Sequence, residues 1–199
     1  MTVVVDYEMG NLLSVTKALE ELGYKPSLSS DPRKILEADL VVLPGVGAFR
    51  DAVRNLKEKG LFLALKERAS LNRPILGICL GMQLFFTKSY EDGEYEGLDL
   101  IPGEVVRFQK APKIPHMGWN NLVPVDTTHE LFKNLPDYYV YFVHSYYAQT
   151  DSKYVLAYTE YGERFPAAVM GGSIIGFQFH PEKSGPVGRQ ILKNLREML

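Results

Sequence analysis

The sequence predicts an α/β fold with a mixed central sheet: parallel strands from the first half of the chain, extended by shorter strands from the second. Two observations lead there. Within the first ninety residues, continuous apolar runs at Thr2 to Asp6, Leu40 to Leu43 and Pro74 to Ile78 alternate with stretches of helical periodicity. Runs apolar on both faces suit strands covered on both sides, and strand–helix alternation suits parallel strands joined by right-handed crossovers. Beyond residue 103 the runs become short and closely spaced, as in antiparallel or mixed sheets.

Taken in order, Thr2 to Asp6 is β-branched and reads as a buried strand. Asn11 is placed to cap a helix over residues 12–22, with Leu12, Leu13, Val15, Leu19 and Leu22 as its apolar stripe and Gly23 as its end. Asp31-Pro32 has the form of an N-cap followed by proline at the first helical position. The Leu40 run stops at Pro44-Gly45-Val46-Gly47, and helical patterns follow from about Ala48 to Lys59 and Leu61 to Leu71. The Pro74 strand leads into Gly77-Ile78-Cys79-Leu80-Gly81, and Leu80 to Phe86 reads as the opening of a helix. Residues 89–103 are acidic and glycine-containing and read as a surface loop. Strands are then expected at Glu104 to Gln109, Trp119 to Val125, Tyr138 to His144, Tyr154 to Thr159, Ala167 to Met170 and Ser173 to Phe179. The last two form a hairpin on a Gly171-Gly172 turn, and a helix from Val187 to Met198 closes the chain. No repeat or linker interrupts the pattern, so residues 1–199 read as a single domain sharing one central sheet.

Composition narrows the classes of function. With 22 Lys and Arg against 24 Asp and Glu, the net charge of −2 offers no basic surface for nucleic acid. A single cysteine excludes an intrachain disulfide and a multi-cysteine zinc site. There is no basic, apolar leader at the N-terminus and no apolar run near the ~20 residues of a membrane span, so the expectation is a cytoplasmic protein that does not engage membranes.

The chemistry centres on that cysteine. Glycines two residues either side of Cys79, between a strand and a helix, give the form of a nucleophile elbow. A lone buried cysteine would explain the residue but not its glycines. A thiol needs a base, and of the four histidines His180 stands at the end of a strand, followed by Pro181 and a carboxylate, Glu182, able to orient it. His129 reads as a surface residue, and His144 as a structural one ending an aromatic strand. An oxyanion hole could draw on the N–H of Leu80 and on the Gly45-Val46-Gly47 turn. This turn, Cys79 and His180 each lie just past the carboxyl end of an expected strand, the edge where open α/β sheets bind ligands.

These residues resemble the class I, triad-type glutamine amidotransferases. Gly77-Ile78-Cys79-Leu80-Gly81-Met82-Gln83 is similar to the family's nucleophile motif and Phe179-His180-Pro181-Glu182 to its His-Pro-Glu motif. Further stretches resemble the members that feed ammonia to a cyclase of histidine biosynthesis: Asp6 to Asn11, Pro44 to Phe49, Pro115 to Asn120, Tyr141 to Tyr146 and Glu182-Lys183-Ser184. Glu8 stands where such proteins usually carry glycine. The resemblance implies a flavodoxin-like three-layer fold and hydrolysis of L-glutamine to glutamate and ammonia through a glutamyl thioester, with no metal or organic cofactor. Cys79, His180 and Glu182 would be the catalytic triad, with Val46, Gly47 and Leu80 forming the oxyanion hole. Gly47, Gln83, Ser145 and Tyr146 would hold the substrate's α-amino and carboxylate groups. The partner implied is a (β/α)-barrel cyclase in a heterodimer, making imidazole glycerol phosphate and an aminoimidazole carboxamide ribotide. Asn11, Trp119, Asn120 and Lys183 would meet it. The rival readings are a glutaminase serving an anthranilate or aminodeoxychorismate synthase, and a regulatory subunit that keeps the fold without catalysis.

Overall fold

A computed structural model describes residues 1–199. The chain opens with strand β1 (Thr2–Val5), all four residues buried. Helix α1 (Leu12–Glu21) follows, its first turn closed by Ser14 N–H donating to the Asn11 side chain. Next come β2 (Pro26–Ser29), α2 (Pro32–Glu37) and β3 (Leu40–Gly45), with Asp31 capping α2 as its Asp-Pro sequence predicts. α3 (Phe49–Glu58) and α4 (Leu61–Ser70) are separated by Gly60 at φ +69°, and lead to β4 (Ile75–Cys79). The elbow helix α5 is a single turn (Leu80–Gln83), shorter than expected, because Phe86 already belongs to β5 (Phe86–Ser89).

The stretch expected as a surface loop is partly ordered sheet. It contains β6 (Tyr95–Glu96) and the start of β7 (Ile101–Arg107), and Ser89, Leu98 and Ile101 are fully buried. The strand expected over Trp119 to Val125 divides into β8 (His116–Asn121) and β9 (Val123–Pro124), with buried Leu122 between them. β10 (Tyr139–His144) is followed after one residue by β11 (Tyr146–Thr150), a strand the sequence reading did not expect. β12 (Val155–Glu160), β13 (Arg164–Gly171), β14 (Ile174–Phe177) and α6 (Gly185–Met198) complete the chain. The β13–β14 hairpin is present, but Gly171 pairs with Ile174, so its turn residues are Gly172 and Ser173.

The central sheet has eight strands in the order β2-β1-β3-β4-β14-β13-β12-β9. The first five are mutually parallel, and their spatial order is that of flavodoxin-like doubly wound sheets. The last three are antiparallel additions. The second half does not join this sheet entirely. β8 and β10 form a separate two-stranded ribbon, and β11-β7-β5-β6 a four-stranded sheet.

Alternate residues of each parallel strand face opposite layers. Val4, Val42, Leu76 and Ile175 pack with Val15 and Leu19 of α1 and Ile191 and Leu195 of α6. Val3, Val5, Val41 and Leu43 pack with Ile35 of α2, Phe49 and Leu56 of α3 and Leu61 and Leu65 of α4. The result is three layers, helix–sheet–helix. Arg68 of α4 is fully buried, and its guanidinium donates to the carbonyls of Ile35, Ala38, Asp39 and Pro74. It thereby supplies donors to carbonyls at and just past the end of α2, where a helix leaves acceptors without intrahelical partners. Burial lowers its pKa to about 10. No helix is long and apolar enough to cross a membrane.

Candidate active site

The carboxyl ends of β3, β4 and β14 bring the site together. Gly45 and Cys79 are directly paired at the ends of β3 and β4, and β14, whose end leads to His180, lies on the other side of β4. Cys79 has φ +55° and ψ −111°, a conformation costly for a residue with a side chain and found where a turn must aim that side chain outward. The flanking glycines are required by close approach. A Cβ on Gly81 would lie 1.8 Å from the carbonyl oxygen of Leu43, and one on Gly77 would strike the Phe85 ring at 2.5 Å. The elbow turn therefore sits flush against β3.

Around the sulfur, Cys79 Sγ lies 3.7 Å from the carbonyl of Val143, and Gln178 Nε2 approaches it at 3.8 Å. His180 and Glu182 are almost completely buried, with Nδ1 2.7 Å from Glu182 Oε1. Burial alone would disfavour charge on the imidazole. Cys79 and Glu182 outweigh it together and raise the His180 pKa to about 10. His180 Nε2 is buried and has no partner in hydrogen-bonding geometry, although Cys79 is close enough to act on the ring. The loop is fixed to β10: His180 N–H donates to the Tyr141 carbonyl, and the Ser184 hydroxyl accepts from Tyr141 N–H while donating to the His180 carbonyl.

His144 is separated from this chemistry by its own bonds. Its Nδ1 meets the Tyr146 carbonyl at 2.8 Å and its Nε2 meets His116 at 3.0 Å, so neither ring nitrogen is left for the thiol. His129 is half-buried rather than a plain surface residue, and its Nδ1 accepts from Leu131 N–H.

A cavity of about 260 Å³ opens over Cys79, lined by Val46, Gly47, Cys79, Leu80, Gln83, Glu91, Pro115, Val143, His144, Ser145 and Tyr146. The expected oxyanion and substrate residues Val46, Gly47, Leu80, Gln83, Ser145 and Tyr146 all face it; His180 and Glu182 stand behind its wall. Gly47 has φ +108°, where a side chain would be strained. Both N–H groups of the Gln83 amide hold the wall together, with Nε2 donating to the Tyr146 carbonyl and Gln178 Oε1, so its free Oε1 is what remains for a ligand.

Sequence reasoning missed two contributors. Glu91 is the one charged side chain lining the cavity, with Oε2 accepting from Phe49 N–H at the first turn of α3; burial raises its pKa. Tyr7 is fully buried beside Cys79, and its hydroxyl donates to the Pro44 carbonyl at 2.6 Å, tying the first loop to the Gly45–Gly47 turn. Glu8, next to it, takes φ +66°, the turn that glycine would make, and pairs with Lys59 at 2.9 Å.

Of the residues expected at an interface, Trp119 is 57% exposed and packs edge-on to Tyr141, over which the Lys183 ammonium also lies. Lys183 and Ser14 line one surface cleft, which brings the Asn11 cap of α1 near the same side. Asn120 differs. Its side chain points inward and bonds to the Glu160 carbonyl and to His116.

Comparison with known proteins gives the family. The model of the family "Glutamine amidotransferase class-I" matches residues 3–198. The chain is 96% identical over 199 residues, the full length of both, to "Imidazole glycerol phosphate synthase subunit HisH" of Carboxydothermus hydrogenoformans. It is 53% identical to the protein of the same description from Archaeoglobus fulgidus, covering 98% of this chain and 96% of its relative. Among solved structures, a glutamine amidotransferase superposes with a TM-score of 0.75 at 18% identity, covering 98% of this chain and 97% of the other. PurLQS from Thermotoga maritima superposes with a TM-score of 0.76 at 20% identity, covering 99% and 97%. At such identities the likeness concerns the fold.

Proposed function

The chain belongs to the class-I glutamine amidotransferase family, and on that premise we propose that it hydrolyses L-glutamine to glutamate and ammonia as the glutaminase subunit of imidazole glycerol phosphate synthase. The observation that carries the chemistry is the buried His180–Glu182 pair beside a cysteine held at an elbow. The full-length relative at 96% identity supports the choice of synthase over the anthranilate and aminodeoxychorismate types.

The geometry supports the following reaction. Cys79 Sγ attacks the side-chain amide carbon of glutamine. The developing oxyanion faces the Leu80 amide and the Val46–Gly47 turn, worth about 3 kcal/mol per well-placed donor. His180, charged at neutral pH, protonates the nitrogen as the C–N bond breaks, and ammonia leaves. The thioester is then cleaved by water, which gives its proton to His180 as it attacks. Glu182 holds the ring in one orientation and stabilises its charge throughout. Glu91, the cavity's only carboxylate, faces the substrate's α-ammonium; Gln83 Oε1, Ser145 and Tyr146 complete the polar rim. Ammonia passes to a (β/α)-barrel cyclase in a heterodimer, docked over the exposed Trp119 and the half-buried Tyr141 beside it, with Lys183 and Asn11 at the margin.

The test is Cys79→Ala in the chain combined with its cyclase. Glutamine-driven product formation should vanish while added ammonium salt still drives the cyclase. Glutamate release persisting in that variant would refute the covalent route; a wild-type chain that supports no cyclase would refute the assignment.

A further inference from the structure

His116 and His144 face each other across the last rung of the β8–β10 ribbon, both buried, with His116 Nδ1 3.0 Å from His144 Nε2. Their hydrogens follow from their partners. A carbonyl only accepts, so the His144 Nδ1 that meets the Tyr146 carbonyl at 2.8 Å carries a proton. In a neutral ring Nε2 is then bare and accepts from His116 Nδ1–H. That leaves His116 Nε2 bare, and it accepts from Asn120 Nδ2 at 3.2 Å. The Asn120 amide is oriented independently: Nδ2 also meets the Glu160 carbonyl at 3.0 Å, and Oδ1 accepts from Asn121 N–H at 2.7 Å. Only two neutral rings, each protonated on Nδ1, satisfy every atom. A proton added to either bare nitrogen would set donor against donor.

The surroundings favour the same state. Phe142 and Tyr161 stack on His116, and Phe108 and Phe165 close on both rings. The titratable groups facing the pair are the two rings themselves, Tyr161 on His116, and His180, which opposes charge on His144; no carboxylate acts on either ring. Burial pushes His116 down to about 4 and His144 to about 3. Beyond His144, the Tyr146 carbonyl also accepts from Gln83, whose amide bonds to Gln178, and Gln178 reaches Cys79. Donors and acceptors thus run unbroken from Asn120, the neighbour of exposed Trp119, to the nucleophile.

We propose that His116 and His144 are positioning residues, a one-way hydrogen-bonded pair that sets the Tyr146–Gln83 wall of the cavity from the ribbon displaying Trp119 and Tyr141. The proposal rests on the glutaminase reading above. Neither ring takes part in the chemistry; both act through the Tyr146 carbonyl, which fixes where glutamine's polar end sits.

Two measurements on the full chain test it. Long-range ¹H–¹⁵N spectra should show both rings neutral and protonated on Nδ1 from pH 5 to 9. Either ring titrating above pH 6, or carrying its proton on Nε2, would overturn the proposal. In kinetics with L-glutamine and the cyclase, His116→Phe keeps an aromatic ring and removes both bonds; KM should rise about tenfold, with a smaller change in kcat. His116→Asn keeps the donor toward His144 and should recover most of the loss. Equal defects in the two variants, or a defect confined to kcat, would overturn the idea. If the Phe variant fails to fold, the Asn variant and the spectrum still decide. A wild-type chain that does not hydrolyse glutamine would refute the function proposed above, whereas the tautomers are read in the spectrum whatever the chain hydrolyses.

Discussion

Replacing Glu182 with glutamine separates orientation from charge. The glutamine oxygen can still accept from His180 Nδ1, so ring geometry is retained while the negative charge is lost. Both partners are almost completely buried, so solvent screening does little to the pair. A hydrogen bond between ionised partners is worth about 1.5–3 kcal/mol and a neutral one about 1 kcal/mol. The difference of about 1–2 kcal/mol corresponds to a fall of about one unit in the His180 pKa. It also corresponds to a loss of about tenfold in kcat/KM for glutamine. The assay is a pH–rate profile of glutamate release. In the proposed reaction His180 carries a proton to expel ammonia, so the wild-type rate should hold well above pH 6.5 and fail as pH approaches about 10. That limb belongs to the coupled Cys79, His180 and Glu182 together. In Glu182→Gln it should move down by about one unit. Stability follows the same sign. The raised pKa contributes stability fully present below pH 6.5, lost as pH rises through about 10, so the variant's deficit in Tm should be largest in mild acid. An unmoved alkaline limb, or a deficit that grows with pH, would refute the ion-pair account.

Three further outcomes are expected. Glu91→Gln should raise the glutamine KM about 10- to 100-fold with a smaller effect on kcat, since its carboxylate is the only charge facing the cavity; steady-state kinetics check this. Gly81→Ala should cost about 3 kcal/mol and lower Tm by about 10 °C, because the new Cβ would overlap the Leu43 carbonyl; calorimetry would show it. Arg68→Met should cost about 3 kcal/mol in urea unfolding without altering KM, because it leaves buried carbonyls unsatisfied far from the cavity.

The parallel strands and the elbow were legible because their signals are local. Leu40–Leu43 and Pro74–Ile78 are apolar on both faces, and glycines around Cys79 have no reading in a plain strand. Strand β2 was not legible: Pro-Ser-Leu-Ser is a half-exposed edge whose pairing partner, not its own pattern, makes it a strand. β11 was hidden because Ser145 alone separates it from β10, while the two strands pair with different sheets. Glu91 lay in an acidic stretch indistinguishable from a solvated loop until packing turned its side chain into the cavity. The burial of Arg68 was not legible, because only the tertiary fold supplies the carbonyls that make it tolerable. That Trp119 is exposed was suggested only by the family resemblance, and Asn120 beside it turns inward, since successive residues of a strand point to opposite faces.

The ribbon's independence from the main sheet sets a ceiling on how much heat the enzyme can use. Cys79 stands on β4, which is flanked by strands on both sides and opens only when the whole sheet does. The loop of His180 leans instead on β10, whose only strand neighbour is β8, through the Tyr141 backbone and the Ser184 hydroxyl. Peeling that ribbon breaks one strand pairing rather than several, so it happens at a lower free energy than global unfolding. On warming, Cys79 and His180 would lose their alignment while the parallel sheet remained intact. Inactivation would therefore begin in a protein whose circular dichroism is still native, and return on cooling.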